Sequence, residues 1–241
     1  MEMSTLRTIR EKERDSHIIM YSNQELYNST GWLKKPVKSI MNIIPFFRDY
    51  NMVRILDLGC GVGRNSIAIA KELSDHACVI ECVDILELAV EKLNMYARNY
   101  RVSECIHGIA MPIEEYVIRK NCYDWILAVS ALEHIDSTAS FLTKLYEIRD
   151  GLCCNGIASL ILNSSVTEKN KQDGKMLTPQ FEVNLPTEKL QAMLNDVFHD
   201  WWILENHVRV QQYDVPRESG IGQITTHVIT FIAQKKMDGE A

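Results

Sequence analysis

The chain has 241 residues, 46% hydrophobic and 24% charged, with a formal net charge of −6, proportions that suit one globular α/β unit with appendages rather than two full domains. The acidic balance disfavours a nonspecific nucleic-acid surface, and no apolar run approaches the ~20 residues needed to cross a bilayer. Seven cysteines without a C-x-x-C pair predict reduced thiols, with neither a disulfide framework nor a metal site, and the charged opening MEMSTLRTIREKERDSH predicts no signal peptide and a cytoplasmic location.

Residues 1–50 stand apart from the rest of the chain. HIIMYSNQELYNSTGW mixes aromatic and polar side chains, which either pack outside the core or form a lid that excludes water from a site. Val37, Ile40, Met41 and Ile44 keep helical spacing, with Pro45 placed to end or kink that helix. From Ile55 an apolar run ends in Asp57 and meets glycines at 59, 61 and 63, which reads as strand, tight turn and helix, the helix capped by Asn65 or Ser66 and running through Leu73.

A second apolar run, Val79 to Val83, closes on Asp84, and a helix from Leu86 carries Ala89, Val90, Leu93, Tyr96, Ala97 and Tyr100 on one face. Strands follow near Cys105–His107 and at Tyr123–Val129. Phe141, Leu142, Leu145 and Ile148 mark a helix that Gly151 ends at its C′ position, and Asn155-Gly156 turns into a strand from Ile157 to Leu162. Residues 166–179 read as a polar loop, and Thr187 caps the next helix. Trp201–Val210 and Ile224–Ala233 predict an antiparallel hairpin at the sheet edge, joined by a long connection from Gln211 to Gln223. The alternation of strands and helices predicts a mostly parallel sheet with right-handed crossovers.

The glycine spacing separates ligand classes. A dinucleotide fingerprint places its third glycine where Arg64 stands, and there is no G-x-x-x-x-G-K-[ST] phosphate loop. Asp84, 21 residues beyond Gly63, either accepts hydrogen bonds from a ribose diol or caps the helix behind it. Asp57 is either a turn acid or the group that orders a ligand ammonium.

The run ILDLGCGVGRNS, the acid Asp84, MPIEEY, YDWILAVSALEHI and the turn before the fifth strand together resemble class I S-adenosylmethionine-dependent methyltransferases over roughly residues 50–165. The resemblance implies a Rossmann-like α/β fold with a seven-stranded, mostly parallel sheet and a C-terminal antiparallel hairpin, residues 51–241 forming the cofactor-binding domain behind a helical lead-in or lid at 1–50. It implies S-adenosylmethionine as cofactor, held by Asp57, Gly59, Cys60, Gly61, Gly63, Asn65, Asp84 and Ile85, with Ala110 and Met111 flanking the adenine and Val129 and Ser130 beneath the transferable methyl. The loop GCGVGRNS is also similar to that of the tellurite-resistance methyltransferases. That family carries a His-Arg pair in its last connection; here QQYDVPRESGIGQ keeps Arg217 without an adjacent histidine.

Displacement at a sulfonium needs alignment and desolvation, and a base only when the acceptor carries a proton. His134 is the candidate base, unless Glu133 and His134 serve to hold the loop, and Arg217 is a candidate for acceptor contact. The Asn/Asp-Pro-Pro-Tyr tetrapeptide of amino-directed DNA methyltransferases is absent, which leaves base flipping without its residues. A small molecule is the expected acceptor, with tellurite or selenite methylation, or a noncatalytic cofactor-binding subunit, as alternatives.

Overall fold

A computed structural model describes residues 10, 14, 17–28, 32–75, 77–217 and 220–237. The first nine residues of the expected lid, and parts of its remainder, lie outside the described residues. Residues 17–23 form helix α1. The helix expected near residue 40 is shorter than its pattern: α2 covers Lys38–Met41, and a 3-10 turn, Ile44–Phe47, takes Pro45 into its first turn, where a missing N–H costs nothing.

The sheet is built from β1 (Met52–Leu58), β2 (Ala77–Asp84), β3 (Ile106–Ala110), β4 (Tyr123–Val129), β5 (Leu152–Asn170), β6 (Met176–Leu177), β7 (Trp202–Arg217) and β8 (Gly220–Gln234). Its order is β3-β2-β1-β4-β5-β8-β7, with β6 pairing β5. The first five strands are mutually parallel; central β4 is buried almost throughout, whereas β3 at the edge buries only Ile106 fully. β8 runs antiparallel between β5 and β7, so the C-terminal hairpin is inserted beside the parallel strands and β7 alone forms that edge.

Helices α3 (Ser66–Glu72) and α4 (Glu87–Asn99) cover one face with the N-terminal segment, while α5 (Thr138–Gly151) and α6 (Thr187–Val197) cover the other. Of the α4 residues expected to face the sheet, Ala89, Val90, Leu93, Tyr96 and Ala97 are buried, while Tyr100 is the C-cap beyond the helix and only partly buried. Phe47 stacks on Trp125 at 5.5 Å, seating the lead-in against the middle of the sheet. Gly151 is the last residue of α5 rather than its C′ residue; a Cβ there would lie 2.4 Å from Ile118 Cγ2, so close packing accounts for it.

Two expected loops are strands. β5 continues through Asn170 into the turn before β6, and β7 and β8 extend through most of the expected Gln211–Gln223 connection, with Tyr213 opposite Ile224 and Arg217 opposite Gly220. These extensions project past Val129, where β4 ends, and carry a small core of Val166, Phe181 and Ile224 with Val215 against it.

Candidate active site

The glycine loop lies between the ends of β1 and β2. Gly59 and Cys60 N–H groups donate to the Val83 carbonyl at 2.8 and 3.0 Å, Gly61 N–H donates to Asp84 Oδ2 at 2.8 Å, and Leu86 N–H donates to Asp84 Oδ1 at 2.9 Å. Asp84 therefore fastens the loop to the start of α4; the N-cap position itself is Leu86. Gly61 has a φ of +54°, a region that favours glycine, and a Cβ on it would come within 2.7 Å of the Tyr21 hydroxyl.

Gly59, Cys60, Gly61, Asn65, Asp84, Ile85, Val129, Ser130, His134 and Arg217 all line one cleft of about 2540 Å³. The structure brings these sequence-derived candidates together. Ser130 has a φ of +51° at the end of β4 and donates its N–H to the Ile161 carbonyl at 2.7 Å, a strained backbone of the kind held at functional sites. Asn65 leaves α3 uncapped; its Oδ1 accepts from Val37 N–H at 3.0 Å, tying the lead-in to the loop.

Four candidates stand behind that wall. Asp57 is buried under the loop and accepts a hydrogen bond from the Ser66 hydroxyl. Burial raises its pKa to about 7; nearby Asp84 adds to the rise, against the Ser66 bond and Arg64. Gly63 gives room for packing: a Cβ there would meet Leu93 Cδ1 at 2.4 Å. Ala110 ends β3, and Met111 donates its N–H to the Asp84 carbonyl at 2.9 Å. The residues that reach the cleft from this segment are Pro112, Ile113 and Glu114. Burial drives the Cys60 thiol pKa well up, which keeps it a neutral part of the loop wall.

Beyond β4 the two members of the Glu-His pair separate in role. Glu133 is buried and accepts from both the backbone N–H and the side-chain amide of Asn163, while its carbonyl accepts from Val183 N–H at 2.9 Å. It holds the loop, and burial raises its pKa. His134 instead faces the cleft: its Nδ1 is 3.0 Å from Glu182 Oε2, and its ring stacks on Phe181 at 5.0 Å. Glu182 was not legible as a partner, because it lies 48 residues away on a segment with no periodic signal.

Arg217 is committed elsewhere. Its Nε and Nη2 donate to Glu168 Oε1 and Oε2 at 2.6 and 3.0 Å, so its guanidinium braces the strand extension. The N-terminal segment contributes Arg10, Arg14, His17 and Tyr21 to the cleft, and Tyr27 Oη donates to the Arg64 carbonyl at 2.6 Å. Among the described residues, no cluster of His, Cys, Asp and Glu has the geometry of a metal site, and no helix is long and apolar enough to cross a membrane.

Residues 55–149 match a family profile described as a methyltransferase domain. Those residues carry a methyltransferase domain, and the α/β fold around it is of the Rossmann-like methyltransferase kind. The domain's fold is similar to TehB from Haemophilus influenzae, with 21% identity, a TM-score of 0.61, and coverage of 87% of this chain and 64% of that one. It is also similar to the Burkholderia thailandensis 1,6-didemethyltoxoflavin-N1-methyltransferase (14% identity, TM-score 0.59, 98% of this chain and 92% of that one). A third likeness is to Haemonchus contortus phosphoethanolamine N-methyltransferase 2, at 11% identity and a TM-score of 0.60, covering 96% and 60% of the two chains. The chain spans less than two thirds of the Haemophilus protein, and identities this low speak to the fold of the methyltransferase domain alone. No curated protein sequence matches the chain.

Proposed function

We propose that the chain methylates a small-molecule acceptor in the cytoplasm, residues 51–241 forming the catalytic domain and residues 1–50 a lid, with neither nucleic acid nor a membrane as partner. The observation that carries this reading is the opening of the glycine loop, Asp84 and His134 into one cleft.

The residues present fit the cofactor. Gly61 turns bare backbone toward the cleft, Gly59 lets the loop pack on Ala131, where a Cβ would come within 2.2 Å of the Ala131 Cβ, and Asp84 sets a carboxylate beside them, the acceptor for a ribose diol's hydroxyls. Ile85 and Ile113 supply apolar contact for the adenine, and Asp57 acts from beneath by fixing the loop. When bound, S-adenosylmethionine supplies a methyl on a sulfonium, whose sulfur leaves as a neutral thioether with the C–S bonding pair as the acceptor's lone pair takes the methyl.

His134 takes the acceptor proton where the acceptor is an O–H or N–H acid. The β7 wall and Phe181 bound the acceptor space, and α1 excludes water above it. Arg217 contributes through the wall it braces. A second reading, methylation of tellurite or selenite, draws support from the fold shared with TehB.

Calorimetry with S-adenosylmethionine and S-adenosylhomocysteine, followed by transfer of labelled methyl to a panel of phenols, N-heteroaromatics, thiols, selenite and tellurite, tests both readings. Low-micromolar binding with turnover of an organic acceptor is expected. Binding without transfer to any acceptor would favour a noncatalytic subunit, and saturable release of methylated selenium or tellurium would favour the second reading.

A further inference from the structure

His134 belongs to a buried charged array that reaches the N-terminal segment. The Glu182 side chain is fully buried, and its carboxylate is shared between two neighbours: Oε2 meets His134 Nδ1 at 3.0 Å, and Oε1 faces Arg10 Nε at 3.5 Å. Neither Glu182 Oε1 nor Arg10 Nε makes a hydrogen bond, although both are buried. The Arg10 guanidinium also pairs with Glu114 and donates to the His134 carbonyl at 3.3 Å.

A fully buried carboxylate is costly unless paired and hydrogen-bonded. Glu182 meets this requirement with one hydrogen bond from His134 and one ion pair that falls just short of hydrogen-bond contact. Phe181, next in sequence to Glu182, stacks on the imidazole, so one short segment fixes both the plane and the rotation of the ring.

We propose that Glu182 is the positioning residue of His134 and that Arg10, paired with the other carboxylate oxygen, holds Glu182 in place. This rests on the reading of His134 as the base. With Nδ1–H donated to Glu182, the neutral ring carries its lone pair on Nε2. In the reaction the proton leaves the acceptor's O–H or N–H for Nε2, its bonding pair stays on the acceptor atom, and Glu182 stabilises the resulting imidazolium.

Among the described residues, the charged groups around the ring include Glu133 on its own turn, Glu182 after β6, Arg10 and, through Arg10, Glu114 and Asp136. Two of them make opposite predictions. Removing the anion Glu182 lowers the His134 pKa, and removing the cation Arg10 raises it.

Long-range proton–nitrogen NMR of the full chain, alone and with S-adenosylhomocysteine, reads the imidazole titration directly without an acceptor, the His134 signals being assigned by their loss in His134→Gln. The neutral ring is expected as the Nδ1–H form. Glu182→Gln should move its titration down by about one pH unit, and Arg10→Met should move it up. A dominant Nε2–H form, or an unmoved titration in both variants, overturns the array. Should Glu182→Gln not fold, Arg10→Met decides alone: an unmoved or lowered titration counts against the proposal. Full methyl transfer by His134→Gln beside the expected shifts would instead refute the base and leave the array standing.

Discussion

Arg217 and Glu168 meet in a two-point ion pair inside the strand extension, the carboxylate only 1% exposed and the guanidinium 13%. Removing one partner strands a buried charge, so Arg217→Ala and Glu168→Ala should each cost ~3–5 kcal/mol in urea unfolding, while replacing both with apolar residues of similar volume should cost far less. Cofactor affinity should stay within about threefold, ~0.7 kcal/mol. A loss in the double variant equal to the sum of the two single losses would show that the pair contributes no coupling.

Asp84 joins two jobs in one carboxylate, and the variants should separate them. Asp84→Ala should weaken S-adenosylmethionine and S-adenosylhomocysteine by ~1–3 kcal/mol and also lower stability, because the Gly61 and Leu86 N–H groups lose their acceptor. Asp84→Asn keeps one acceptor oxygen and should recover most of the stability but not the affinity. Unchanged affinity of Asp84→Ala in calorimetry would remove the ribose assignment.

Gly61→Val combines a left-handed backbone with a crowded approach to Tyr21. The conformational penalty alone is roughly 1–2 kcal/mol, which a folded domain can sustain. We expect near-native circular dichroism and no thermal shift on adding cofactor. Global unfolding would instead mark the loop as a keystone of the fold.

Asp57 links stability to pH. Its folded pKa of about 7 lies above that of an unfolded aspartate, so the native state holds the proton more tightly and stability falls as pH rises from about 4 to 7, by up to roughly 4 kcal/mol if the full shift is realised. Asp57→Asn should flatten that slope in denaturant titrations between pH 5 and 7.5. A slope identical to the parent protein's would assign the dependence to other groups.

The parallel half of the sheet was legible because its signals are local: an unbroken apolar β4, a glycine turn, an acid at each of two strand ends. The strand extension was not. NSSVTEKN and QQYDVPR are polar, and Pro216 argues against a strand except at an edge, which is where β7 lies. Their structure comes from cross-strand pairs such as Thr167 with Thr225 and Tyr213 with Ile224, partners set by topology rather than by neighbouring sequence. The His134–Glu182 contact was hidden for the same reason, whereas the separation of Glu133 and His134 into loop holder and cleft residue follows from one facing Asn163 and the other Phe181.

On β7, every second residue from Glu205 to Tyr213 (Glu205, His207, Arg209, Gln211, Tyr213) lines the cleft, and beyond them Asp214, Val215, Pro216 and Arg217 do so without a gap. Since alternate side chains of a strand point to opposite faces, this wall is addressed by a two-residue code written on a rigid element. Replacements at these positions can recut the acceptor space while the intervening positions carry solubility and edge protection, so selectivity can drift without disturbing the core. An insertion of one residue within the pairing would exchange the two sets wholesale, giving the acceptor site a tolerance for substitution and an intolerance of length change that mobile loops do not share.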